Sequence, residues 1–395
     1  MGKEYKNSGL EWIGRIPKEW KACRFKNFLS LRNIASSSSI KIGLENIEGG
    51  SGRYISTDGK FDGDGIQFNT GDIVYGKLRP YLRKVWLATF EGNAVGDFFV
   101  FRNKRNSYPH YIKWLFLSDG FSEAVNSSVY GAKMPRVSSD FILSLPFFLP
   151  PLSEQQRIAS YLDKKCGEID ELIALQEKMI AQLKEYKHAV ITEAVTKGLD
   201  PNAKLVPSGI EWIGDVPEGW RVCRIKDIVN LQSGTNLTTM DISESGKYPV
   251  YGGNGIRGYY HEYTNEGEFV LIGRQGALCG NINYASGKFW ATEHAVVCYP
   301  QREFARKWLG ELLRAMNLGQ YSLSAAQPGL SVERIKNLNM PLPSLPEQHS
   351  IATYLDTKCS EIDSLIALKR QKIESLNAYK KSVIYEAVTG KTIIE

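Results

Sequence analysis

The sequence lacks several features that would each have fixed a class of function. No apolar run approaches the roughly 20 residues needed to span a bilayer, and the N-terminus has no signal-peptide core. A cytoplasmic protein with no membrane partner is therefore expected. The cysteines are Cys23, Cys166, Cys223, Cys279, Cys298 and Cys359; they form no C-x-x-C, and buried thiols in a reducing cytoplasm suit that spacing. Five histidines are scattered without H-E-x-x-H or other metal-ligand spacing. No Ser/His/Asp or Cys/His arrangement can be assembled. Charge is only mildly one-sided: a net +6 permits an anionic partner without requiring one. With 395 residues, 43% hydrophobic and 23% charged, the chain has ordinary globular composition and exceeds a single core.

Three apparent catalytic signatures fail on context. Gly253-Asn-Gly255-Ile-Arg-Gly258 fits G-x-G-x-x-G, but Tyr259-Tyr-His-Glu-Tyr263 follows where a dinucleotide fold needs an apolar helix. Phe61-Asp-Gly63-Asp-Gly65 resembles a methyltransferase F-x-G-x-G, yet a polar, turn-rich stretch precedes it and no [Asn/Asp]-Pro-Pro-[Tyr/Phe] accompanies it. Asp58–Gly63 opens like a calcium loop, but Lys60 takes a ligand position and Asn69 stands where the bidentate Glu belongs. Glu293-His294, ahead of an apolar strand, could be a polar contact in a cleft, although a lone histidine is more often structural.

What the chain does have is a doubled frame. Ser8-Gly-Leu-Glu-Trp-Ile-Gly14, with Pro17, Trp20 and Cys23-Arg24, returns as Ser208-Gly-Ile-Glu-Trp-Ile-Gly214, with Pro217, Trp220 and Cys223-Arg224. Residues 154–196 return as 347–389, with 26 of 43 positions identical. The stretches between, about 8–145 and 208–338, match only weakly. The offset between copies falls from 200 at Ser8/Ser208 to 193 at Glu154/Glu347, so the first filling is longer by seven residues. A repeated frame with varied filling implies one physical task performed on two different objects.

The second frame piece reads as a long helix over 154–197, capped by Ser153 after Pro150-Pro151 and ended by Lys197-Gly198. Ile158, Leu162, Ile169, Leu172 and Leu183 recur at spacings of three and four, as do Ile351, Leu355, Ile362, Leu365 and Leu376 in the second copy. Each helix of about 44 residues would be roughly 65 Å long. Neither stripe can be buried alone, and chain order makes a mutual pairing antiparallel, with one variable globule at each end of a pseudo-two-fold axis. Gln176 and Lys369 are equivalent, sit at core positions near the helix midpoints, and would oppose each other. They either set register or snorkel to solvent.

The fillings read as mixed α/β. Strands are expected at 72–75, 98–101, 268–272 and 295–298, and helices at 110–117 and 304–316. Cations interleave with aromatics directly after a strand at Lys77, Arg79, Tyr81 and Arg83, and a basic turn adds Lys133 and Arg136. In the second filling Arg257 and Tyr259 lie in the glycine-rich loop, Gly273-Arg274-Gln275-Gly276 follows a strand at the position aligned with Gly76-Lys77, and Gln327 directly precedes a Pro-Gly pair. Arg and Gln make bidentate contacts to guanine and adenine edges, and Lys holds phosphates. For any one of these residues a solvated basic rim is an equal alternative.

With these motifs the chain resembles the specificity subunit of a type I restriction-modification enzyme. The resemblance lies in the doubled Ser-Gly-x-Glu-Trp-Ile-Gly-x-x-Pro and in the Leu-x-Pro-x-Leu-x-Glu-Gln-x-x-Ile-Ala-x-Tyr-Leu-Asp of Leu149–Asp163 and Leu342–Asp356. Lys197-Gly-Leu-Asp-Pro201, Tyr248–Asn254 and Gln327-Pro-Gly-Leu-Ser331 also fit. It implies an α+β architecture: target recognition domains over 1–150 and 199–343, and conserved helical regions over 151–198 and 344–395 paired as an antiparallel coiled coil. Each domain would read one half of a bipartite site in double-stranded DNA. The helices would set the spacing and dock two modification (methyltransferase) subunits, and restriction (translocase-nuclease) subunits would complete the enzyme. The chain itself would be non-catalytic and hold no cofactor, with S-adenosylmethionine, ATP and Mg belonging to the partners. The alternatives are a coiled-coil scaffold that binds protein and has no DNA role, and a self-contained nuclease or methyltransferase.

Overall fold

A computed structural model describes residues 4–36, 38–59, 61–131, 133–276, 278–322 and 329–394. The chain divides into two compact units, Met1–Glu177 with Arg370–Glu395, and Lys178–Lys369. The first unit is thus built from both ends of the sequence, and the second from one continuous stretch.

Each unit contains an antiparallel sheet in one repeated strand order. In unit 1 it runs Leu29–Arg32, Phe98–Asn103, Ile73–Gly76, Val85–Leu87; in unit 2, Val229–Ser233, Ala295–Pro300, Asn265–Gly273, Ile282–Ala291. The strands expected from sequence fall inside these, except that the one expected at 72–75 runs Ile73–Gly76, and the expected helices form at Pro109–Leu117 and Arg306–Ala315. The units then diverge. Unit 2 extends its sheet by Tyr248–Gly252 and Gly255–Tyr260, whereas unit 1 builds a separate four-stranded sheet around Gly65–Phe68 and Gly92–Ala94. Gly253–Gly258 is therefore a hairpin turn and strand, not a nucleotide loop.

Two long helices span Leu152–Lys197 and Leu345–Val388. The first begins at Leu152, so Ser153 lies inside its first turn and the Pro151 carbonyl accepts from the Glu154 and Gln155 N–H groups. Within each unit, segments of the two helices run antiparallel. In unit 1 Lys380 Nζ reaches Asp170 at 2.7 Å, and Ile158, Leu162 and Cys166 share a core with Val383, Ile384, Ala387 and Val388. In unit 2 Lys187 Nζ reaches Asp363 at 2.7 Å, and Val190, Ile191, Ala194 and Val195 pack with Ile351, Leu355 and Cys359.

Two expectations for the stripe need correction. Leu172 and Leu365, placed in the helix interface by periodicity, are exposed, while Leu183 is half-buried and Ile158, Leu162, Ile169, Ile351, Leu355, Ile362 and Leu376 are buried. The registers set by the two ion pairs bring Gln176 about level with Glu374 in unit 1, and Lys369 about level with Ala181 in unit 2. That differs from the mutual pairing expected of equivalent residues.

The Glu-Gln of each helix start acts as a clasp. The Trp20 indole N–H donates to Glu154 at 3.0 Å, and the Trp220 indole N–H donates to Glu347 at 3.0 Å. Gln155 accepts from the Tyr108 N–H at 2.7 Å and donates to the Pro150 carbonyl; Gln348 accepts from the Ala305 N–H at 3.1 Å and donates to the Pro343 carbonyl. One side chain thereby ties a long helix to the start of the globule's own helix. At each helix end a glycine takes positive φ, Gly198 at +73° and Gly390 at +72°, against the Pro-Trp pair of a frame. A Cβ at Gly390 would lie 2.7 Å from Trp20.

Candidate nucleic-acid interface

In both units the same backbone frame sits at the end of the sheet. The Lys77 N–H donates to the Asp97 carbonyl at 2.9 Å, and the Arg274 N–H donates to the His294 carbonyl at 2.8 Å. The Lys77 carbonyl then accepts from the Val137 N–H at 3.2 Å, and the Arg274 carbonyl from the Leu330 N–H at 2.9 Å. Isolated bridges join Leu78 to Arg136 and Gln275 to Gly329. Directly after each return segment, Ser138 and Ser331 cap a short helix with their hydroxyls. Three loops are thus brought together twice by equivalent hydrogen bonds.

In unit 1 the frame carries cations. Arg136 grips Asp97 through Nε at 3.1 Å and Nη2 at 2.9 Å, and Lys77 Nζ lies 3.7 Å from the same carboxylate. The Arg136 hydrogen bond and charge hold the Asp97 carboxyl below the usual carboxylate range. Arg79 and Tyr81 stand exposed in the next turn, Arg79 with φ +50°, and Lys133 is exposed in the return loop. Arg83, expected at the same surface, instead binds Asp119 and the Leu117 carbonyl. Its neighbour Lys84 is similarly engaged by the Leu44 and Ile47 carbonyls.

In unit 2 the glycine-rich hairpin closes against the frame. A Cβ on Gly273 would lie 2.0 Å from the Gly253 carbonyl oxygen, so the two backbones can approach this closely only with glycine at 273. Arg257 is exposed on the hairpin with its methylenes over Gly252, and Tyr259 is half-buried through backbone pairing with Ser243. Arg274 is half-buried and donates to Ser233 Oγ at 3.1 Å; Gln275 is exposed. Gln327 lies outside the described residues. Among the described residues, Asn283 Nδ2, Glu293 Oε2 and His294 Nδ1 are buried polar atoms with no protein partner. Asp97 was missed altogether, because a single acid among turn residues carries no pattern; only its equivalence to His294 marks it.

Other chemistry is sparse. No group of three or more potential metal ligands occurs among the described residues, and no helix there is long and apolar enough to cross a membrane. The six thiols are free, and burial pushes Cys166 and Cys223 up to about 11.

Comparison with known proteins adds to this geometry. The family model described as type I restriction modification DNA specificity domain matches residues 40–185 and 217–378. The EcoprrI specificity subunit of Escherichia coli is 42% identical over 150 residues, which cover 37% of this chain and 37% of that relative. The MjaVIII specificity subunit of Methanocaldococcus jannaschii is 24% identical over 420 residues, covering 95% of this chain and 94% of the relative. A chain solved in work on assembly and conformational transition of the type I R-M system superposes with a TM-score of 0.77 at 19% identity, covering 95% of this chain and 99% of that one. The HsdS subunit from Thermoanaerobacter tengcongensis gives 0.55 at 19% identity, covering 95% and 98%. At that identity these structures speak to the fold alone.

Proposed function

The chain belongs to the type I restriction modification DNA specificity family, and on that premise we propose that it is the sequence-reading subunit of a type I restriction-modification complex. Each unit reads one half of a bipartite site in double-stranded DNA, and the chain leaves catalysis to its partners. The observation that carries this reading is the twice-built frame, Lys77–Asp97–Val137 and Arg274–His294–Leu330, holding different side chains at equivalent places. Cations and exposed amides suit phosphate and base-edge contacts, and their difference between units suits two unlike half-sites.

The long helices supply a second surface. Unit 1 leaves Leu172, Leu175 and Tyr379 exposed on its helix segments; unit 2 leaves their equivalents Leu365, Leu368 and Tyr186. Equivalent apolar surfaces on two units suit two copies of one partner, the modification subunit. S-adenosylmethionine, ATP and Mg then serve the modification and restriction subunits.

Mapping methylated adenines in cells that carry this chain and its partners tests the proposal directly. Recovery of two short, unlike sequences at a fixed separation is the expected result. DNA binding by the complex that is insensitive to salt and sequence would instead favour a protein-binding scaffold, since phosphate contacts make affinity fall steeply with salt.

A further inference from the structure

The two copies sort their residues by role. Scaffold residues recur: Trp20 as Trp220, Glu154 as Glu347, Gln155 as Gln348 and Ser138 as Ser331. Around the shared frame the residue types change, with His294 where Asp97 stands, Gly329 where Arg136 stands and Gln275 where Leu78 stands. A side-chain arrangement that varies on a constant backbone belongs to what distinguishes the two readers. The Asp97–Arg136 pair is such an arrangement, present in unit 1 and without counterpart in unit 2.

Its geometry is specific. Asp97 occupies the Nε–Nη2 edge of the guanidinium, at 3.1 and 2.9 Å. The Nη1 end takes no protein acceptor among the described residues, and the Arg136 side chain remains 37% exposed. An arginine held along one edge presents its Nη1–Nη2 end as two parallel N–H donors, which match O6 and N7 of guanine in the major groove. A carboxylate facing DNA would by itself repel phosphates. Here Arg136 and Lys77 flank it, and the cluster keeps a net positive charge. Fixing the long side chain beforehand also reduces the entropy lost on contact.

We propose that Asp97 is a positioning residue that holds Arg136 ready to read one guanine in the half-site of the first unit. This rests on the DNA-reading function above. The test uses the complex with its modification subunits and begins by mapping the wild-type methylated sequence. If no bipartite sequence emerges, the functional reading itself fails. Given such a sequence, each guanine of the first half-site is replaced in turn by 7-deazaguanine, which lacks the N7 acceptor. Methylation should fall about tenfold or more at one position and not at the others; uniform tolerance, or a half-site without guanine, overturns the proposal. Asp97→Asn and Arg136→Lys should each relax the choice of base at that same position, leaving the second half-site and the spacing unchanged, and Asp97→Glu should restore part of the preference. Variants that weaken methylation equally at every sequence, with base preference intact, would make Arg136 a phosphate contact and overturn the assignment. The deazaguanine series on the wild-type complex decides the matter even where a variant fails to fold.

Discussion

Trp20 and Glu154 show how single residues hold a frame. The indole N–H reaches a carboxylate at the start of a helix 134 residues later, and Trp220 repeats the contact with Glu347. Trp20→Phe removes that donor and part of a buried side chain, so unfolding of unit 1 should weaken by about 1–3 kcal/mol, read as a lower denaturant midpoint. Trp220→Phe should do the same to unit 2. The thiols offer a second check. Burial pushes the Cys166 and Cys223 thiols up to about 11 in the folded chain, above the ordinary 9.0 of a free thiol, so around pH 9–11 the folded state retains protons that the unfolded state has lost. Stability from these groups is therefore full below pH 9 and should decline as pH rises toward 11, with thiol-reagent labelling slow at neutral pH. At this scale sequence reading worked where chemistry repeated and failed where it did not: Trp20 was marked by its copy, Asp97 by nothing local.

At the scale of elements, the long helices were legible from period and from the terminal Lys197-Gly198 to within two residues, although the expected cap Ser153 lies inside the first turn. Their burial was not. Periodicity places Leu172 and Leu365 with Ile169 and Ile362, yet the partner segment covers only part of so wide an apolar stripe. One face meets the other helix and the remainder stays open. Leu175→Glu and Leu368→Glu should each change stability by no more than about 0.5 kcal/mol. Together they should weaken copurification with the modification subunit, whereas retention of the full complex would remove these leucines from the docking surface. Ile158→Ala, in the buried part of the same stripe, should cost about 2–5 kcal/mol. The strands were equally legible as runs, because Val74, Val100 and Val297 lie in buried β stretches. Which strands neighbour each other was not, since pairing depends on the sheet's long-range order; the separate second sheet of unit 1 had no local signature.

For the whole molecule, the doubling foretold two similar bodies, and the interleaving of helices gives it physical form. Residues 178–197 stand in unit 2 where 371–390 stand in unit 1. A fragment of residues 1–203 should therefore self-associate, each copy supplying the segment the other lacks, and should support methylation of a symmetric site; a strictly monomeric, inactive fragment would count against this. Replacing residues 199–343 by another recognition domain should alter one half-site alone, as read by methylation mapping. The seven-residue difference in the fillings already marks the two readers as distinct.

The first unit closes through residues far apart in the chain: Tyr5 donates to the Gly390 carbonyl, Tyr111 to that of Val388, and Tyr385 to that of Ile13. On a ribosome this sets an order. The nested stretch 178–369 has all its own parts as soon as it emerges, while the globule made first waits, with its phenylalanine-rich core partly uncovered, until the second helix has been translated. A late frameshift would thus damage the earliest-made domain and spare the later one.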